Sequence, residues 1–267
     1  SSNIHARYFV VILSVSWITA SFGQVTASVS TTEARIAKMD ELMSTFAEYG
    51  QFNGAVLVAE KGKVLYKKGF GMANMEWDVP NTTDTKFRLA SITKQFTAML
   101  IMQLVAENKL ALDVPIANYL PDYPKANAER ITIHQLLSHT SGIPNYTDMP
   151  NYREMMIEQH SPAELLNTFA DSALQFTPGE RFSYSNSGYM VLGAIVERIT
   201  GMTYERALQE RIFTPLGMTN FGVDIGRTVL KKRAIGYVLN GSTFTNAIYL
   251  DMSTPFSAGS IYSTVED

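Results

Sequence analysis

The sequence predicts a mixed α/β (α+β) fold built of antiparallel hairpins and helices. Three observations predict it. Strand-like runs at 54–59 and 63–70 flank Glu60-Lys61-Gly62, the pattern of a β-hairpin with glycine at its turn. A second hairpin is expected at 234–239 and 243–248, joined across Asn240-Gly241. Between the hairpins, apolar residues recur at helical spacing in several segments.

The elements follow in order. A helix is expected over 32–49, where Ile36, Met39, Leu42, Met43 and Phe46 form one apolar stripe and Gly50 suits the stop. The stripe reads as core packing. After the first hairpin, 71–85 is an irregular connection broken by Pro80 and Asn81. A helix then begins near Ser91 and continues to about Asn108. Its body is heavily apolar, so it reads as a central, buried helix whose methionines fill core gaps. Thr132-Ile133-His134-Gln135 and Ser161-Pro162-Ala163-Glu164 are capping boxes, the second opening a helix expected to reach about Ser172. Tyr189, Leu192, Ile195, Val196 and Ile199 give a further helix its apolar face, with Gly201 ending it. A last helix is expected over 204–213, stopping before Pro215.

Composition narrows the function. The chain has 267 residues, 46% of them apolar, enough for a real core. A net charge of −3 gives no footprint for nucleic acid. Without cysteine there is neither a disulfide framework nor a thiol nucleophile. Arg7 precedes an apolar run at 8–20 that is followed by small residues, so 1–23 is expected to be a signal peptide. The run is short of the ~20 residues of a membrane span, and export to the periplasm or medium is the expectation. His134 and His139 are five apart, not the i, i+4 of a helical ligand pair, so both are expected to be structural or to line a wall. No metal or cofactor is expected.

The chemistry centres on Phe87-Arg88-Leu89-Ala90-Ser91-Ile92-Thr93-Lys94, a short extended segment running into a helix. Ser91 and Lys94 are at i and i+3, on one helical face, so the amine can reach the hydroxyl. A serine hydroxyl is a weak nucleophile until a neighbouring group takes its proton. This S-x-x-K occurs once in the chain, and so does a Y-x-N, at Tyr184-Ser185-Asn186, on a loop just before a helix. There is no G-x-S-x-G, no H-E-x-x-H and no phosphate loop of the P-loop type.

With these two motifs the chain resembles the serine β-lactamase-related family: class C β-lactamases, D-alanyl-D-alanine carboxypeptidases and related esterases. His139-Thr140-Ser141-Gly142-Ile143-Pro144 and Pro215-Leu216-Gly217-Met218 are similar to stretches common in it, and the resemblance covers 31–267. It implies a penicillin-binding-protein/β-lactamase-like fold, an antiparallel sheet flanked by helices plus a helical subdomain. It also implies an acyl-enzyme on Ser91, with Lys94 and Tyr184 sharing the proton work in an order the residues leave open. Asn186 would offer its amide to a substrate carbonyl, or serve as a helix cap, and the Ser91 N–H would be an oxyanion donor. The implied substrate is a small molecule or peptide carrying an amide or ester: a D-alanyl peptide, a β-lactam or a small ester. A penicillin-recognising sensor without turnover, or an inactive fragment, is the alternative. The family's third motif, K-T-G or H-T-G on a wall strand, has no match after Asn186. The expectation is therefore a domain truncated at its C-terminal end, with an incomplete sheet and poor turnover.

Overall fold

The computed structural model describes residues 31–267, and the expected signal peptide lies outside them. Helix α1 (Thr32–Glu48) starts where the Thr31 hydroxyl accepts the Ala34 N–H, and the chain leaves it through Gly50 at φ +66°. Strands β1 (Gly54–Glu60) and β2 (Lys63–Phe70) form the expected hairpin. Lys61 and Gly62 both take positive φ, 52° and 76°, as a two-residue type I′ turn requires. The connection expected to be irregular contains two short paired strands, β3 (Met72–Asn74) and β4 (Val79–Pro80). Strand β5 (Phe87–Arg88) leads through a 3₁₀ turn at Ala90–Ile92 into helix α2 (Thr93–Ala106).

Short helices follow: α3 (Lys125–Ala128), α4 (Ile133–Leu137), α5 (Tyr152–Met155) and α6 (Pro162–Asn167). Both expected capping boxes are formed, at Thr132/Gln135 and Ser161/Glu164. Helix α6 ends earlier than expected, and tighter i→i−3 turns carry the chain on to Ser172. Then come α7 (Asn186–Thr200), α8 (Tyr204–Leu208) and α9 (Thr214–Leu216). Last are β6 (Gly222–Val223), β7 (Tyr237–Asn240), β8 (Thr243–Asn246), α10 (Phe256–Gly259) and β9 (Ile261–Ser263). The mixed α/β class is as expected. Among the described residues the strands form small antiparallel sheets: β1-β2, β3-β4, β5-β9-β6 and β7-β8.

Four further expectations are corrected. The α1 stripe is not core, because no α1 residue is buried and Leu42 and Phe46 are exposed. Helix α1 packs on β2, which covers only part of its apolar face. In α2 the buried face is Thr93, Lys94, Thr97, Leu100, Ile101 and Leu104, while Met99 and Met102 are exposed. A helix apolar on all sides gives no sequence signal for which side turns inward. The chain does not leave the helix before Pro215. A π-helical turn at Gln209–Phe213 joins α8 to α9, and Pro215 falls in the first turn of α9, where its missing N–H costs little. The second hairpin turns one residue late, at Gly241-Ser242, since Asn240 still pairs with Thr243.

Helix α7 is the centre of the core. Nine of its residues are buried, from Ser187 to Gly193 and at Ile195 and Val196. It packs against α2, α4, α6, α8 and α10. Helices α7 and α10 meet at Gly193, where an added Cβ would fall 2.1 Å from Ser257 Oγ and 2.4 Å from Ser257 Cβ. Ser257 cannot easily yield, because its Oγ donates to the Tyr189 carbonyl and its own carbonyl accepts from Thr97 Oγ1. Gly193→Ala is therefore expected to destabilise the fold by about 1–3 kcal/mol through overpacking. Thermal unfolding would show this as a lowered Tm, and an unchanged Tm would mean that the α7–α10 crossing is looser than drawn.

Candidate active site

The site is assembled where three stretches of chain meet. The first is the turn from β5 into α2. Ala90, a non-glycine residue, takes φ +46°, and this left-handed step swings the chain from the strand into the 3₁₀ turn that carries Ser91. Ser91 is exposed, whereas Lys94, one turn on, is buried with 5% of its surface accessible. The i, i+3 relation closes as expected: Lys94 Nζ donates to Ser91 Oγ at 3.1 Å.

The second stretch is the loop into α7. Tyr184 places its hydroxyl 2.7 Å from Ser91 Oγ, and Lys94 Nζ lies 4.8 Å from the centre of the Tyr184 ring. Asn186 Oδ1 accepts from Lys94 Nζ at 2.8 Å. The helix cap, however, is Ser185, whose hydroxyl accepts the Gly188 N–H. Asn186 is the first residue of α7, so the capping role considered for it belongs to its neighbour. All four residues singled out in the sequence are thus together.

The third stretch is α10. The Ala258 carbonyl accepts from Lys94 Nζ at 2.8 Å. With Ser91 Oγ and Asn186 Oδ1 it gives the three hydrogens of an ammonium three acceptors. Burial nonetheless holds the Lys94 amine below the ordinary lysine range, with the Tyr184 hydroxyl pulling the other way.

Two side chains position these groups. His139 sits at φ +57°; its carbonyl takes the Ser183 N–H at 2.8 Å and its Nδ1 takes the Ser185 N–H at 3.1 Å. Tyr184 is held between those two bonds, and its ring stacks on the imidazole at 4.6 Å. Burial, then the Lys94 charge, keep His139 below the usual imidazole range, which suits an Nδ1 that must accept. His139 lines the wall, as expected. Asn145 escaped sequence reasoning: its Oδ1 accepts both the Asn186 N–H and Asn186 Nδ2, at 3.0 and 3.1 Å. This fixes the Asn186 amide with its oxygen toward Lys94. Among the described residues no cluster of His, Cys, Asp and Glu fit for a metal ion occurs, and no helix is long and apolar enough to cross a membrane.

The structure thus places an exposed serine, bonded to a tyrosine and a buried lysine, on a mixed α/β scaffold. The profile of the family described as Beta-lactamase matches residues 38–267, and the chain belongs to that family. It is similar to penicillin-binding protein 4* of Bacillus subtilis, 36% identical over 67% of this chain and 40% of the relative. It is similar in structure to a penicillin-binding protein from Bacillus halodurans, with a TM-score of 0.74, 32% identity and coverage of 84% of this chain and 69% of that one. A D-amino acid amidase from Ochrobactrum anthropi superposes with a TM-score of 0.66 at 32% identity, over 79% and 59% of the two chains. The chain spans about half the length of the curated relatives it matches.

Proposed function

We propose that the chain carries the nucleophilic half-site of a serine hydrolase that cleaves an amide or ester through an acyl-enzyme on Ser91. The observation that supports this most is the contact of Ser91 Oγ with both Tyr184 Oη and Lys94 Nζ. Ammonium–phenolate and amine–phenol carry the same number of protons, so the pair acts as one acid–base unit. It takes the Ser91 proton as Oγ attacks the carbonyl carbon and returns it to the leaving nitrogen or oxygen; a water then repeats the sequence to free the acid. The Ser91 N–H, in the 3₁₀ turn, is the proposed oxyanion donor. Asn186 holds Lys94 and leaves one amide hydrogen for a substrate carbonyl.

The proposed substrates are D-amino acid amides, D-alanyl peptides, β-lactams and small esters, and similarity to an amidase and to penicillin-binding proteins supports this range. Intact mass measurement after incubation with penicillin and with a nitrophenyl ester tests the reading. A mass increase located on Ser91 is expected; failure of both reagents to add mass would overturn it. A persistent adduct marks a sensor, and a decaying one an enzyme.

The pH dependence follows from the burial of Lys94. The pair accepts a proton only after losing one, so acylation should rise with pH and level off. Burial lowers the Lys94 pKa, so the midpoint should lie below that of an exposed lysine. A rate that falls as pH rises through that range would mean that the fully protonated pair is the active form.

A further inference from the structure

We propose that the cavity lined by Arg88 and Arg233 binds a small carboxylate-bearing molecule with an apolar body. The cavity holds about 490 Å³. The two guanidiniums converge on one carboxylate: Arg88 Nε donates to Asp224 Oδ2 at 2.8 Å, and Arg233 Nη1 donates to the same oxygen at 3.1 Å. The second Asp224 oxygen takes the Gly226 N–H at 2.9 Å. The Asp224 side chain is 2% exposed, but each arginine side chain is 36% exposed.

Two positive charges therefore share one negative charge, and they share it through one nitrogen each. Among the described residues, Arg88 Nη1 and Nη2 and Arg233 Nε and Nη2 donate to no protein acceptor. Unused edges of two guanidiniums beside a cavity match the planar, two-oxygen geometry of a carboxylate. A second anion there would also relieve the repulsion between the two cations. Glu76 lines the same cavity from an exposed position, where its Oε1 accepts from Asn246 Nδ2. Its charge favours a singly charged ligand over phosphate. The remaining wall is largely apolar, and Ile235, Ile248 and Tyr249 line it while 41%, 73% and 62% exposed. A ligand with an apolar body would cover them, in the usual pattern of small-molecule sites.

This binding does not depend on the acyl-transfer reading, and it is measured without turnover. The test is isothermal titration of the full chain with N-acetylphenylalanine in a buffer free of carboxylates. Saturable one-to-one binding is expected. Arg233→Gln, and Arg233→Lys, which keeps the charge but loses the planar fork, should each weaken it at least tenfold. N-acetylphenylalanine amide, which lacks the carboxylate, should not bind. Ile248→Glu adds a negative charge at an exposed rim residue and should weaken binding as well. This variant decides the matter if Arg233→Gln fails to fold. Protein treated with fluorophosphonate should bind unchanged. The proposal is overturned by absent binding, by equal affinity for the amide, by unaltered affinity in the folded variants, by binding of inorganic phosphate in place of the carboxylate, or by loss of binding on treatment with fluorophosphonate.

Discussion

Ser91→Ala is expected to abolish covalent labelling by a fluorophosphonate probe and to lower ester or amide turnover by about 10⁴–10⁶-fold. The size follows from what is removed. Without Oγ no acyl-enzyme forms, and the remaining donors only polarise a bound carbonyl. The substitution costs little in the fold. Ser91 is exposed, and among the described residues its hydroxyl bonds only to Tyr184 and Lys94. An unchanged Tm alongside lost labelling would therefore separate chemistry from folding. Labelling that persists in the variant would move the nucleophile to another serine.

Tyr184→Phe is expected to slow acylation by about 10²–10⁴-fold, the usual range for removing a general acid or base. It is the cleaner of the two proton-handling variants. The ring is 42% exposed, and its stacking on His139 and its place near Lys94 Nζ survive the loss of the hydroxyl. Lys94→Ala should be at least as damaging to rate but also to stability. It leaves the Asn186 and Ala258 oxygens without their donor, at about 1–3 kcal/mol for the buried Ala258 carbonyl and less for the half-buried Asn186 amide. If the two residues act as one unit, the double variant should be no slower than the worse single one. Multiplying effects would instead assign them separate steps. Near-normal acylation in either single variant would remove that residue from the proton path.

Much of this site was legible because side-chain chemistry was tied to short spacing. Ser91 and Lys94 needed only the helical repeat, and Tyr184 and Asn186 came with a three-residue motif. Ala258 was not legible: its contribution is a backbone carbonyl, which any residue type could supply. Asn145 was hidden for another reason. It acts from an irregular segment across a long gap in sequence, and no local pattern marks an asparagine whose partner is another asparagine. In the fold, the hairpin at 54–70 and both capping boxes were readable from local turn and cap chemistry. The errors fell where tertiary packing decided. The exposure of Met99 and Met102, the coverage of α1 and the passage through Pro215 depend on neighbours that local sequence does not name.

The bonds that complete the site differ widely in how much chain they close. Lys94 reaches Ser91 across three residues, Tyr184 reaches it across 93, and Ala258 reaches Lys94 across 164. During refolding the serine–lysine contact can thus arise with the first turns of α2, on the timescale of helix formation. The tyrosine and the carbonyl must wait for long loops to close, at an entropic cost that grows with their length. Far-ultraviolet circular dichroism should therefore recover before reactivity toward the probe does. Between those two moments the chain is helical but chemically silent.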